Sequence, residues 1–211
     1  MENKQNMRFD VINQKATENI QLGIESPIRN KWRRWVEWGL DNLYPDYLIE
    51  LSFKSALHSS ILSQKSMMVG GSGWNKVNIS PELTSFLANV YSSTSLDEIL
   101  FRVAYDLEVY NGFYINVVWS KTSSNNTGKI AAIHYVDPST VRIATDDPEY
   151  PNIQNYYISP DWKNYKKEGN EPIFYPGFNR KNKKKLSQII YVKNYRPGTQ
   201  FYAIPGYLGG L

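Results

Sequence analysis

The chain has 211 residues, enough for one domain or one large domain with an extension, with 41% hydrophobic, 21% charged and 14% aromatic residues. Such a composition fits a folded protein with a substantial core and excludes a disordered one. Cysteine is absent and the net charge is only +4, which excludes disulfides, thiolate nucleophiles and Cys-ligated metals.

Residues 1–31 are polar, with scattered Val11, Ile12, Ile20, Leu22 and Ile24 and no period, and read as a flexible N-terminal arm. The stretch has no apolar segment that would act as a signal peptide or a membrane span. Residues 32–211 read as one α+β domain, with helices first and a mostly antiparallel sheet after them.

Three of the six tryptophans fall at 32, 35 and 38, ahead of a turn, Gly39-Leu40-Asp41-Asn42. Asp41 or Asn42 is placed to cap a helix whose first turn holds Tyr44 and Pro45, where a missing N–H costs nothing. Tyr44, Leu48 and Leu51 recur at helical spacing, with Tyr47 on their flank. Ser55 and His58 mark the start of a second helix carrying Leu57, Ile61, Leu62, Lys65, Met68 and Val69. It should end on Gly71 and Gly73, residues that adopt φ > 0 freely. One apolar face of this helical pair is expected to be buried.

Pro81 to Val90 reads as a short helix, broken by Ser92-Ser93-Thr94-Ser95. Ser95 with Glu98 forms a capping box ahead of the apolar stripe Leu96, Ile99, Leu100, Val103, Ala104 and Leu107. Phe113–Trp119 is β-branched and aromatic, hence a strand, and Lys129–Val136 pairs back on it as a hairpin. Further strands are expected at 140–145, 153–158 and 189–193, with 163–185 as loop.

From Asp161 to Arg196 ten Lys or Arg face three acids, for a local charge of +7. Its densest part, Arg180, Lys181, Lys183, Lys184 and Lys185, flanked by Tyr175, Phe178 and Tyr191, is a candidate for contact with nucleic acid or a protein partner. Against this, a lysine-rich hairpin tip is ordinary solubilising surface, and that is the default reading. The two histidines, His58 and His134, lie 76 positions apart, and Asp146, Asp147 and Glu149 share a Pro-bounded loop. The histidines lack metal-ligand spacing, and the acids would need burial or further oxygen ligands to hold a cation or do acid–base work, so a solvated turn is the default. Gly71-Ser72-Gly73 follows a helix instead of a strand and lacks the frame of a nucleophile turn. No catalytic, metal or cofactor-binding residue is expected, and the chain is read as a non-enzyme.

Residue order also resembles the portal proteins of tailed bacteriophages, especially those of phages of Bacteroidetes hosts. The resemblance is carried by Trp38-Gly39-Leu40-Asp41-Asn42-Leu43-Tyr44-Pro45-Asp46-Tyr47-Leu48, by the Ser55-x-x-His58 step and by Gly71-Ser72-Gly73. Later matches are Glu108–Phe113, Ile133–Pro138 with Val141-Arg142, and Tyr202–Tyr207. It implies the wing-like, N-terminal part of a ring subunit, typically one of twelve, continued by further helices beyond Leu211. It also implies partners: other copies of itself, the major capsid protein, the terminase large subunit (which hydrolyses the ATP), a head–tail adaptor, and duplex DNA passing through the channel in packaging and ejection. Location would be the virion, and the host cytoplasm during assembly, with no membrane. A stand-alone nucleic-acid-binding module using residues 163–196 is the alternative.

Overall fold

A computed structural model describes residues 25–26, 34–75, 77–121, 128–144, 155–180, 186–197 and 199–210. Their order is β1 (Glu25–Ser26), β2 (Glu37–Trp38), α1 (Tyr44–Lys54), α2 (Ala56–Gly70), α3 (Pro81–Ala88), α4 (Leu96–Tyr110), β3 (Gly112–Trp119), β4 (Ile130–Val136), β5 (Val141–Ala144), β6 (Asn155–Ile158), β7 (Ile173–Pro176) and β8 (Ser187–Lys193). The fold is α+β, as the sequence implied, with the helices ahead of the two three-stranded antiparallel sheets and the short β1-β2 pair ahead of the helices.

Three antiparallel ladders, β4-β3-β8, β5-β6-β7 and β1-β2, are joined by isolated bridges. Gly177 bridges Ile189 in parallel, which links β7 to β8, and Trp35 bridges Ala144, which lays the tryptophan segment beside β5. The Val36 N–H donates to the Ile143 carbonyl at 2.8 Å. Alternation in β3 sends Tyr114 into the main core with Val36, Trp38, Leu48, Val109, Tyr110, Ile143, Ile189 and Tyr202, while Phe113 and Ile115 pack against the smaller one. A smaller core of Val90, Ile99 and Val103 lies under α3 and α4.

α4 forms for local reasons. The Ser95 hydroxyl accepts from the Glu98 N–H at 3.2 Å, and the helix stops at Asn111, held at φ 61° ahead of Gly112. Only half of the expected capping box is present, since the Glu98 carboxylate turns to Arg102, one helical turn on, at 2.7 Å. Ser55 caps α2 by accepting from the His58 N–H at 3.3 Å.

Four expectations are corrected. Neither Asp41 nor Asn42 caps α1. The N-cap position is Leu43, without a side-chain bond; Asp41 accepts from the Leu43 N–H, and Asn42 turns inward at φ 63°. Gly71 closes α2 in right-handed geometry at φ −67°, and only Gly73, at φ +63°, uses glycine's freedom. There an added Cβ would also meet the Asp97 carboxylate at 2.4 Å. The expected buried stripe of α2 faces out: Leu62 and Ser66 are buried, whereas Leu57, Ile61, Met68 and Val69 are exposed. Finally, 163–185 is not all loop, because Ile173–Pro176 forms β7 against β6. The 145–154 ends of two expected strands and the acids Asp146, Asp147 and Glu149 fall outside the described residues.

Candidate functional site: the tryptophan turn and the exposed helix face

Gly39, at φ 88°, and Asn42, at φ 63°, reverse the chain between β2 and α1. Asn42 is buried, and its side-chain oxygen accepts from two donors, the Trp38 N–H at 3.0 Å and Arg142 Nε at 2.6 Å. The Asn42 carbonyl takes a further bond from the same guanidinium. Arg142 is fully buried, and its remaining bonds go to the Ser139 and Val141 carbonyls at 2.8 and 2.7 Å. Its charge lies 4.8 Å from the Trp162 ring centroid and 6.0 Å from that of Trp38.

No carboxylate pairs directly with Arg142 among the described residues. Burial pulls its pKa down to about 10, so the group stays cationic at neutral pH. Amide, carbonyl and ring faces thus solvate a buried cation, which ties the turn to β5 across a hundred residues.

Each tryptophan of the turn has its own setting. Trp38 stacks on Tyr202 with ring centroids 4.3 Å apart and 7° between planes. Trp35 lies edge-on to Tyr157, Trp162 and Tyr165 at 5.2–5.6 Å. Pro45 is buried in the first turn of α1 and Tyr44 is half-buried beside it. The Tyr202 hydroxyl donates to the Val36 carbonyl at 2.6 Å and accepts from the Ile143 N–H at 3.0 Å. Tyr202→Phe should therefore destabilise the chain by about 1–3 kcal/mol, because two buried backbone groups lose a partner. A denaturation midpoint unmoved by the change would show that this hydroxyl is dispensable.

The other expected residues are dispersed. His58 sits on α2 with its ring edge-on to Tyr207 at 4.6 Å, and His134 lies on β4 against Tyr91 at 3.9 Å. Arg180 is exposed beyond β7, and Lys181, Lys183, Lys184 and Lys185 lie outside the described residues. A cleft of about 310 Å³ opens beside the turn, lined by Leu43, Asp46, Ser139, Pro160, Asp161, Trp162 and Lys163. Burial raises the Asp46 pKa, and bonds from Asn164 lower that of Asp161. The cleft lining offers two carboxylates and one amine but no histidine base.

An accessible apolar surface lies on α1 and α2. Phe53 (72%), Leu57 (72%), Ile61 (45%) and Met68 (82%) are exposed, and 57, 61 and 68 share one side of α2 at i, i+4 and i+11. Serine and Gln64 complete that side, and the nearby Lys65 is engaged by Glu108. An uncharged apolar stripe of this kind is a candidate contact surface. Sequence reading placed Leu57, Ile61 and Met68 on a helical pair with one buried apolar face and did not single out Phe53; Arg142 and Tyr202 were noted only within resemblance motifs. Among the described residues, no helix is long and apolar enough to cross a membrane.

No protein-family model matches the chain. No curated protein matches it either. Its fold does match that of a chain in the virion of a native gene transfer agent particle, with TM-score 0.54 and 8% identity over 93% of this chain and 45% of that one. A chain from the neck of an empty gene transfer agent particle, computed with C6 symmetry, matches with TM-score 0.50 and 9% identity over 75% of this chain and 38% of its own length. At such identity the likeness is one of fold. The chain spans less than half the length of the chains it matches.

Proposed function

We propose that this chain is a structural component of a phage-type particle and, more finely, the wing-like part of a portal subunit. The observation that carries the reading is the fold shared with a gene transfer agent virion chain over 93% of the present sequence. Two features support it. The Trp-Gly turn, the Ser55-x-x-His58 cap and the Tyr202–Tyr207 stretch fit the portal resemblance, and their packing builds a rigid core instead of a reaction centre. The uncharged stripe on α2 gives the rigid body a surface on which a neighbour can settle.

In this role the chain contributes contacts within a ring at one capsid vertex, through which duplex DNA is packaged and ejected. It meets capsid protein, terminase and a head–tail adaptor, and it performs no turnover of its own. Immunogold labelling of particles that contain the protein tests this directly. Label at a single vertex is expected; label spread over the whole shell, or absent from particles, would overturn the reading.

The isolated 211-residue chain should sediment mainly as a monomer or form indiscriminate aggregates. Ring closure needs heterologous interfaces set at one rotation, and in the portal family stem helices supply much of that geometry. A single species of about twelve copies in sedimentation velocity would place the assembly information within these residues instead.

A further inference from the structure

α4 serves both cores, the smaller through Ile99 and Val103 and the larger through Val109 and Tyr110. Between them lies Asp106, only 4% exposed. Its Oδ1 accepts from the Tyr135 hydroxyl of β4 at 3.0 Å, and its Oδ2 is buried with no hydrogen-bond partner among the described residues. A carboxylate here would leave half of its acceptor capacity unmet in an apolar setting.

The surroundings offer little to offset a negative charge. β4 and the residue after it supply Tyr135 and Asp137, and α4 itself supplies Arg102 and Tyr110, one turn to either side. Arg102 bonds Glu98 and lies 5.6 Å from the Tyr135 ring centroid. From the other elements packed on α4, α2 presents Lys65, held by Glu108, and α1 presents Asp46, whose charge reaches Tyr110. β3 carries the buried Tyr114, and α3 carries Glu82, which is fully exposed.

We propose that Asp106, seated against Tyr135, is a proton-dependent clasp of α4 on β4: neutral, it packs between the two cores at little cost, and ionised, it leaves a buried charge that the Tyr135 hydrogen bond offsets only in part. Burial, reinforced by the Asp137 charge and opposed by the Tyr135 hydrogen bond, pushes the Asp106 pKa from the ordinary 3.8 up to about 8. Across that window the folded chain retains a proton that the unfolded chain has released. Stability therefore falls as pH rises from about 4 to about 8 and levels off above.

Unfolding curves of the wild-type chain, Asp106→Asn and Tyr135→Phe across this range test the clasp. Relative to Asp106→Asn, the wild-type folding constant should fall by up to about tenfold per pH unit between pH 5 and 7.5. Tyr135→Phe, which keeps the carboxyl and removes its donor, should carry the decline to higher pH. Parallel curves for wild type and Asp106→Asn would refute the clasp, and a Tyr135→Phe curve identical to wild type would remove Tyr135 from it. Should Asp106→Asn fail to fold, the carboxyl ¹³C titration of Asp106 in the wild-type chain decides, since a midpoint near 4 sinks the proposal.

Discussion

Replacing Trp38 by alanine should destabilise the folded chain by about 3–5 kcal/mol, as truncation of a buried aromatic commonly does. Trp38 is 1% exposed, stacked on Tyr202 and tilted against Tyr110, so its removal opens a hole where the turn, α4 and the C-terminal segment meet. Those walls come from three separate parts of the chain, which limits how far they can collapse. The indole N–H is buried with no hydrogen-bond partner among the described residues, so no polar contact to them is lost with the ring. Trp38→Phe should accordingly retain most of the stack and cost roughly 1–3 kcal/mol. Urea denaturation of both variants provides the comparison. A Trp38→Ala transition unmoved from wild type would mean that the turn does not organise this core.

Asn42→Ala should cost a similar amount, roughly 3–5 kcal/mol, for a different reason. The substitution strips one acceptor from two buried donors, Trp38 N–H and Arg142 Nε, and places a Cβ-bearing residue without Asn's local bonding at φ 63°. A buried guanidinium missing a partner accounts for most of the loss, and the left-handed backbone adds about 1–2 kcal/mol. Asn42→Gly separates the two contributions, because it relieves the backbone but restores neither bond. Asn42→Asp keeps an acceptor in place and adds a charge of opposite sign, so it should lie nearer wild type. If Asn42→Gly proved as stable as the native chain, the solvation of Arg142 by this side chain would be energetically idle.

These two residues also mark where sequence legibility ends. Ser95 was readable as a helix cap because its partner lies three residues on, Ser55 as the start of a helix, and the Phe113–Trp119 hairpin from its β-branched, aromatic run. Asn42 was legible as a turn residue, yet its inward role depends on Arg142, a hundred positions away, which no local pattern encodes. α2 misled for another reason. Its apolar residues recur on several sides of the helix, so periodicity could not say which side the core would take, and Leu62 with Ser66 took it. β7 escaped notice because only four residues pair, two of them exposed, within a polar and basic surrounding. The candidate assembly face was therefore visible as residues but not as a surface.

The bond from Tyr202 to Val36 spans 166 positions, and it has a consequence for synthesis. At about 5–20 residues per second, roughly 10–30 s pass between translation of Trp38 and of Tyr202. Throughout that interval the tryptophan segment has neither its stacking ring nor its final hydrogen-bond donor. The nascent chain thus displays its most adhesive residues first and covers them last. Holdase-type chaperones that bind exposed aromatic segments would find a target there until Tyr202 has been made.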